Sequence, residues 1–266
     1  TSQFVDEEKV NEKNLEQHLS DMLSVDPRVR AIAGESTNEI LKRNVKIAEH
    51  ELNSILYDYQ STNDLRGLTR PDQLRHITDD IDSEVVDTMI EAVSSKFSLA
   101  HKYYELKAKI LGVPKLNYWD KNAPVGTTEI KYDFEKSVAL VSDVFGKLDP
   151  EFQSIFMRFV ENGQMDVFPA SGKRGGAFCA IERPTQPTYI LLNHTDKLSD
   201  VLTLAHEVGH GINNELMKSQ KYAANFGSPL STAEVASTFM EDFVLQSLPK
   251  DKALLMTKLG DDVSTI

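Results

Sequence analysis

The sequence predicts a mainly α-helical fold with a small β-sheet next to a helix that carries two histidines. Three observations predict it. Apolar residues recur at helical spacing over most of the chain. One stretch, Asp166 to Thr195, is rich in glycine and proline and holds two short β-like runs, "GAFCA" and "TYILLN". Directly after it comes "TLAHEVGHGINNEL", Thr203 to Leu216, an apolar helical pattern interrupted by two histidines four residues apart.

The elements follow in order. From Thr37 to Tyr59, Ile40, Leu41, Val45, Ile47, Ala48, Leu52, Ile55 and Leu56 form one apolar face, and Lys42, Arg43, Lys46 and Glu49 lie opposite. "STNE", Ser36 to Glu39, reads as the capped start of that helix. Gly67 and Pro71 then break the chain. A helical stretch from Asp72 to Leu111 follows, with an interruption expected near Asp79 to Ser83, and Gly112 and Pro114 close it. Helices are expected again over Tyr132 to Leu148 and Pro150 to Asn162. After the β region, helices resume at Leu198. The organisation expected is one domain in three parts: a helical part over 1–162, the β region over 163–195 and the histidine-bearing helices over 196–266.

Composition narrows the function. The chain has 266 residues, 40% hydrophobic and 26% charged, a globular balance. A net charge of −12 repels phosphate backbones and argues against nucleic acid as partner. No apolar run is long enough for a membrane helix, so no membrane partner is expected. Cys179 is the only cysteine, which excludes an intrachain disulfide and suits the cytoplasm, the location expected.

On a helix, His206 and His210 stand one turn apart and can reach one ion. Glu207 lies a third of a turn round, close to the ion without ligating it. This is the H-E-x-x-H arrangement of zinc metalloproteases. A third ligand must come from elsewhere. A metzincin would place Gly at 213 and His at 216. Asn213 and Leu216 exclude that class. Glu234 opens the next helical pattern, "LSTAEVASTFMEDFVL", and is the third ligand expected. Ser237 and Glu241 share its face and are expected to orient the ligands.

Four blocks carry a likeness to a known family: "GKRGGAFCA" (Gly172 to Ala180), "ILLNHT" (Ile190 to Thr195), "DVLTLAHEVGHGIN" (Asp200 to Asn214) and "AEVASTFME" (Ala233 to Glu241). In their order and spacing the chain resembles the oligoendopeptidase F family, relatives of thimet oligopeptidase. Weaker likeness covers "LRGLTRPDQL" and "YYELKAKILGVPKL", and Met240 stands where the family has asparagine. The resemblance implies a fragment of a zincin-type (gluzincin) catalytic domain. It implies one Zn2+ held by His206, His210 and Glu234, with Glu207 as base, in a cytoplasmic enzyme that cuts short peptides in a helical cleft. It also implies missing parts, because the family continues to a Phe-Arg-Gln segment and to tyrosine and histidine donors beyond the last matched block. Low activity alone, exposed apolar surface, and self-association or pairing with the missing C-terminal part are therefore expected.

The "GGAFCA" run is expected as an edge strand facing the cleft, with Gly175, Gly176, Ala177 and Phe178 along the peptide. The glycines could equally make only a tight hairpin. Two other functions stay open: a metallocarboxypeptidase with the same metal motif, and a non-catalytic helical fragment that binds peptide or metal. The remaining side chains have plainer expectations. His18, His50, His76 and His101 should lie on solvated helix faces, and His194 in a turn. Lys173 and Arg174 should be solvated, and Cys179 a small buried hydrophobe.

Overall fold

The computed structural model describes residues 2–6, 9–13, 15–125, 131–248, 256 and 258–260. Its elements are mostly helices, with a small three-stranded sheet before the helix that carries His206 and His210, as the patterning predicts. The chain divides into two compact units, Thr1–Thr127 with Asp251–Ile266, and Thr128–Lys250.

The first unit starts with a hairpin that the sequence reading did not anticipate: β1 (Ser2–Asp6) antiparallel to β2 (Lys9–Lys13). Next come α1 (Leu15–Asp21) and α2 (Pro27–Arg66), a helix of 40 residues. "STNE" lies inside α2 and does not start it. Asp26 is the N-cap, its Oδ1 accepting from the Arg28 amide at 2.8 Å, and Pro27 follows as the first helical residue, where a missing N–H costs nothing. Gly67 closes α2 at φ 68°, a left-handed cap. Near its start, α2 is anchored. Arg30 and Asp120 form a buried ion pair at 3.0 Å, and a Cβ at Gly34 would fall 2.5 Å from the Trp119 ring.

The stretch Asp72 to Leu111 is three helices: α3 (Gln73–Thr78), α4 (Ser83–Ser94) and α5 (Phe97–Leu111). The break after Thr78 was expected; the one at Ser95 and Lys96 was not. Two histidine expectations fail in this unit. His18 is fully buried, and His76 is 6% exposed with Nδ1 2.8 Å from Ser83 Oγ. A histidine amid charged neighbours can still turn inward when a hydroxyl is there to meet it. His50 and His101 are exposed as expected.

In the second unit, α6 (Phe134–Leu148) and α7 (Pro150–Glu161) meet at Asp149, which ends one helix and caps the next by accepting from the Glu151 amide at 2.7 Å. Phe145, Phe156, Ile155 and Phe159 form the buried centre. The sheet has the order β3-β5-β4: β3 (Met165–Asp166) runs parallel to β5 (Tyr189–Leu191), and β4 (Phe178–Ala180) antiparallel to it, with Cys179 opposite Ile190. β3 escaped the sequence reading because two residues show no alternation. Last come α8 (Leu198–Met217) and α9 (Leu230–Ser247). α8 packs against α6, α7, α9 and the sheet. The unit boundary falls after Thr127, so α6 and α7 group with α8 and α9 and not with the helices upstream.

Candidate metal centre

α8 begins at a built cap. Asp200 Oδ2 accepts from the amides of Thr195 (2.7 Å) and Lys197 (3.0 Å) and from the Thr195 hydroxyl (3.1 Å). Val201, Leu204, Ala205, Val208 and Ile212 are buried on the inner side of the helix. Thr203, His206 and His210 follow one another at spacings of three and four, and so share another face.

Two glycines let neighbours come close. A Cβ on Gly209 would lie 2.7 Å from Ser237 Cα and 2.8 Å from the Ala236 carbonyl oxygen, so α8 and α9 touch backbone to backbone there. A Cβ on Gly211 would lie 2.7 Å from the Phe159 ring. The first contact brings the start of α9 over the histidine face. Glu234 Oε2 lies 3.2 Å from His206 Nε2 and 3.3 Å from His210 Nε2. The three donor atoms lie within 4.8 Å of one another, the single such group of three or more His, Cys, Asp or Glu among the described residues. Two imidazole nitrogens and a carboxylate oxygen converging on one point fit a zinc site of the His2Glu type.

The donors are held from behind. His206 Nδ1 donates to Glu241 Oε2 at 3.1 Å, which turns the Nε2 lone pair inward. Buried Ser237 donates to Glu234 Oε2 at 2.7 Å. The backbone of Ala233 near the His210 ring favours its charged form. Charge follows these contacts. The bond to Glu241 holds the His206 pKa above its ordinary value, and the bond from Ser237 holds that of Glu234 below. Burial pushes His210 down and Glu207 up. Glu207 is buried beside the donors and points its carboxylate at the backbone amide of Cys179 on β4.

These groups open into a pocket of about 490 Å³. One wall is β4 and its flanks: Ala177, Phe178, Cys179 and Ile181. β4 is an edge strand. Gly176 lines a neighbouring pocket, while Gly175 lines neither. The glycine loop has a conformational requirement: Gly172 and Gly176 adopt φ of 79° and 76°, and no atom lies within 4 Å of the Cβ either would carry. Asn193 Nδ2 fastens the loop by donating to the carbonyls of Arg174 (3.0 Å) and Gly176 (2.8 Å).

Several side chains depart from expectation. Lys173 is not solvated: its side chain is 6% exposed, and Nζ donates to Asp166 Oδ1 at 2.8 Å and to the carbonyls of Asp166 and Phe168. Arg174 is exposed as expected, its guanidinium 5.5 Å from the centre of the Phe178 ring. His194 is 3% exposed, with Nε2 3.1 Å from Ser137 Oγ. Cys179 is partly buried, accepts from Asn214 at 3.4 Å, and has its thiol pushed up to about 12 by burial. Asn213, Met217, Phe226 and Ser228, which also line the pocket, were missed from sequence. Asn213 donates to Ser228 Oγ at 3.1 Å, linking α8 to the loop before α9. The one available signal was spacing, since Asn213 and Met217 continue the histidine face at steps of three and four.

The chain is similar to known proteins over most of its length. An oligoendopeptidase F homolog of Lactococcus lactis subsp. lactis is 28% identical over 211 residues, which cover 79% of this chain and 33% of that protein. Oligopeptidase PepF of Bacillus subtilis is 28% identical over 180 residues, 66% of this chain and 27% of that one. The chain thus spans about a third of the length of these relatives. Among solved structures, PZ peptidase A with inhibitor 2 superposes with a TM-score of 0.78 at 20% identity, over 97% of this chain and 48% of that one. Oligoendopeptidase-F from Enterococcus faecium gives 0.64 at 16% identity, over 100% of this chain and 42% of its own. At such identities the likeness speaks for the fold. The sequence profile of peptidase family M3 matches residues 26–254, both donor helices included, and the chain belongs to that family.

Proposed function

We propose that this chain holds one zinc ion through His206, His210 and Glu234 and serves the hydrolysis of short oligopeptides, with Glu207 as general base. The convergence of both Nε2 atoms on Glu234 Oε2, with Glu207 buried alongside, is the observation that carries this reading. A zinc ion bound there supplies a Lewis acid for the peptide carbonyl and lowers the pKa of water. Glu207 takes a proton from the attacking water and returns one to the leaving amine. Its burial in the pocket wall keeps bulk water from competing for that proton. The substrate lies extended along β4, offering main-chain groups to Ala177 and Phe178, so that many sequences are accepted. Glu241 and Ser237 keep the donors aimed.

A single cysteine and an acidic surface support a cytoplasmic setting. The exposed apolar side chains of α2, α4 and α5 support association with further polypeptide, either a second copy or more of the family's chain. Measuring bound metal together with cleavage of an end-blocked fluorogenic peptide tests the reading. Expected are one zinc per chain, slow turnover by the chain alone, and no carboxypeptidase release. Glu207→Gln should keep the zinc and lower turnover by about 10²- to 10⁴-fold. Loss of zinc in that variant would show the wrong role for Glu207. Zinc without any turnover, alone or with the rest of a family member added, would leave a binding fragment.

A further inference from the structure

A second pocket, of about 260 Å³, adjoins the metal pocket and shares Ala177 with it. Its lining is Gly176 and Ala177 from the glycine loop, Leu192, Asn193 and His194 after β5, and Asp200 and Thr203 from α8. Thr203 is three residues before His206, and Asp200 three before Thr203, so this pocket continues along α8 from the donor face. At a rise of about 1.5 Å per residue, Asp200 lies roughly 9 Å along the axis from His206. An extended peptide covers that distance in about three residues.

The chemistry of this pocket is acidic. No lysine or arginine is among its described lining residues. Asp200 has its Oδ2 held by two backbone amides and one hydroxyl, all neutral donors. Those bonds and the positive end of α8 offset part of the carboxylate's charge, but no full cation among the described residues lies within ion-pair distance of it. Lys197 binds Asp200 through its backbone amide and forms no ion pair with it, and Arg174 of the glycine loop is stacked on Phe178. Asn193 spends its amide donors on loop carbonyls, and its side-chain oxygen is an acceptor.

We propose that this pocket is a specificity subsite that takes a cationic group of the peptide, about three residues from the bond to be cut, and that Asp200 reads it. The inference rests on the peptidase reading above and adds a preference to it. Two sources carry such a charge, a lysine or arginine side chain and a free peptide N-terminus. Asp200 is a positioning and recognition residue here and takes no part in bond cleavage.

The test measures binding of a peptide set to the zinc-loaded chain by titration calorimetry. Peptides of one neutral sequence carry a lysine, or its uncharged norleucine counterpart, at each successive position, with the N-terminus free or acetylated. The expected result is a lysine preference of about three- to tenfold at one position only, shrinking at high salt. A preference lost on acetylation instead identifies the N-terminus as the cation. Asp200→Asn keeps an acceptor for the cap and removes the charge. It should hold the melting temperature and zinc content while bringing the preference to one. Asp200→Ala should lose melting temperature as well, separating the cap from the recognition. Neutral peptides that bind with no preference anywhere would overturn the subsite and leave the peptidase reading standing. Failure of every peptide to bind would overturn both.

Discussion

Helices α2 and α8 show opposite relations between pattern and packing. Both have apolar residues at helical spacing. In α8 that face is buried under α7, α9 and the sheet, with Val201, Leu204, Ala205 and Val208 at zero exposure. In α2 the same kind of face is bare: Leu41, Val45, Leu52, Ile55 and Leu56 are all exposed, and of 40 residues only Arg30, Ala33, Gly34, Thr37 and Asn63 are buried. A periodic apolar stripe therefore marks a surface that favours contact without naming the contact. Where neighbours are present in the chain, the stripe becomes a core. Otherwise the helix keeps its caps and its length and leaves the stripe in water.

This contrast can be broken or sharpened by substitution. The largest effect is expected at Gly209, where α8 and α9 meet. Gly209→Ala places a methyl 2.7 Å from backbone that cannot rotate away. The expected loss is about 3 kcal/mol, or roughly 6 to 12 °C in melting temperature, with loss of zinc. A thermal scan with metal analysis checks it, and an unchanged Tm would mean the helices are looser than described. A smaller effect is expected behind the donors. Glu241→Gln keeps the shape but weakens the hold on His206, and zinc affinity measured by chelator competition should fall about 10- to 100-fold. The smallest is expected on α2. Leu52→Glu puts a charge on a residue already 60% exposed and should change stability by less than about 0.5 kcal/mol in a denaturant titration. A large loss there would show that the bare stripe is covered in solution, and light scattering on the same samples would report association.

The side chains that converge at the candidate site were more legible in the sequence than element boundaries were. His206, Glu207, His210 and Glu234 could be picked out because their residue types make no sense on an apolar helix face without a ligand. Ser237 and Glu241 followed from spacing, and the structure sets both against the donors. Gly209 could not be read, because a glycine in a helix looks like a small loss of propensity until the neighbouring backbone is in view. The start of α2 was misplaced for a related reason: "STNE" and Asp26-Pro27 are both acceptable caps, and only the packing of Arg30 and Gly34 on Asp120 and Trp119 selects the earlier one. Lys173 was read as solvated because its three acceptors come from Asp166 and Phe168, whose turn a linear pattern does not reveal. The same holds for His18 and His76, whose burial depends on tertiary neighbours.

The meeting of α8 and α9 at Gly209 works as a mechanical stop. Side chains yield by turning about their bonds, but two helical backbones in van der Waals contact yield only by breaking their own hydrogen bonds. The spacing between the helices is thus set by atomic radii, and the distance from Glu234 to the two imidazoles inherits that tolerance. Exposed positions on the outer sides of both helices, such as Val235 and Phe239, are then free to drift in sequence without moving the donors. Geometry at the centre becomes a property of the main chain, and the surrounding side chains are left to vary with whatever the cleft must accept.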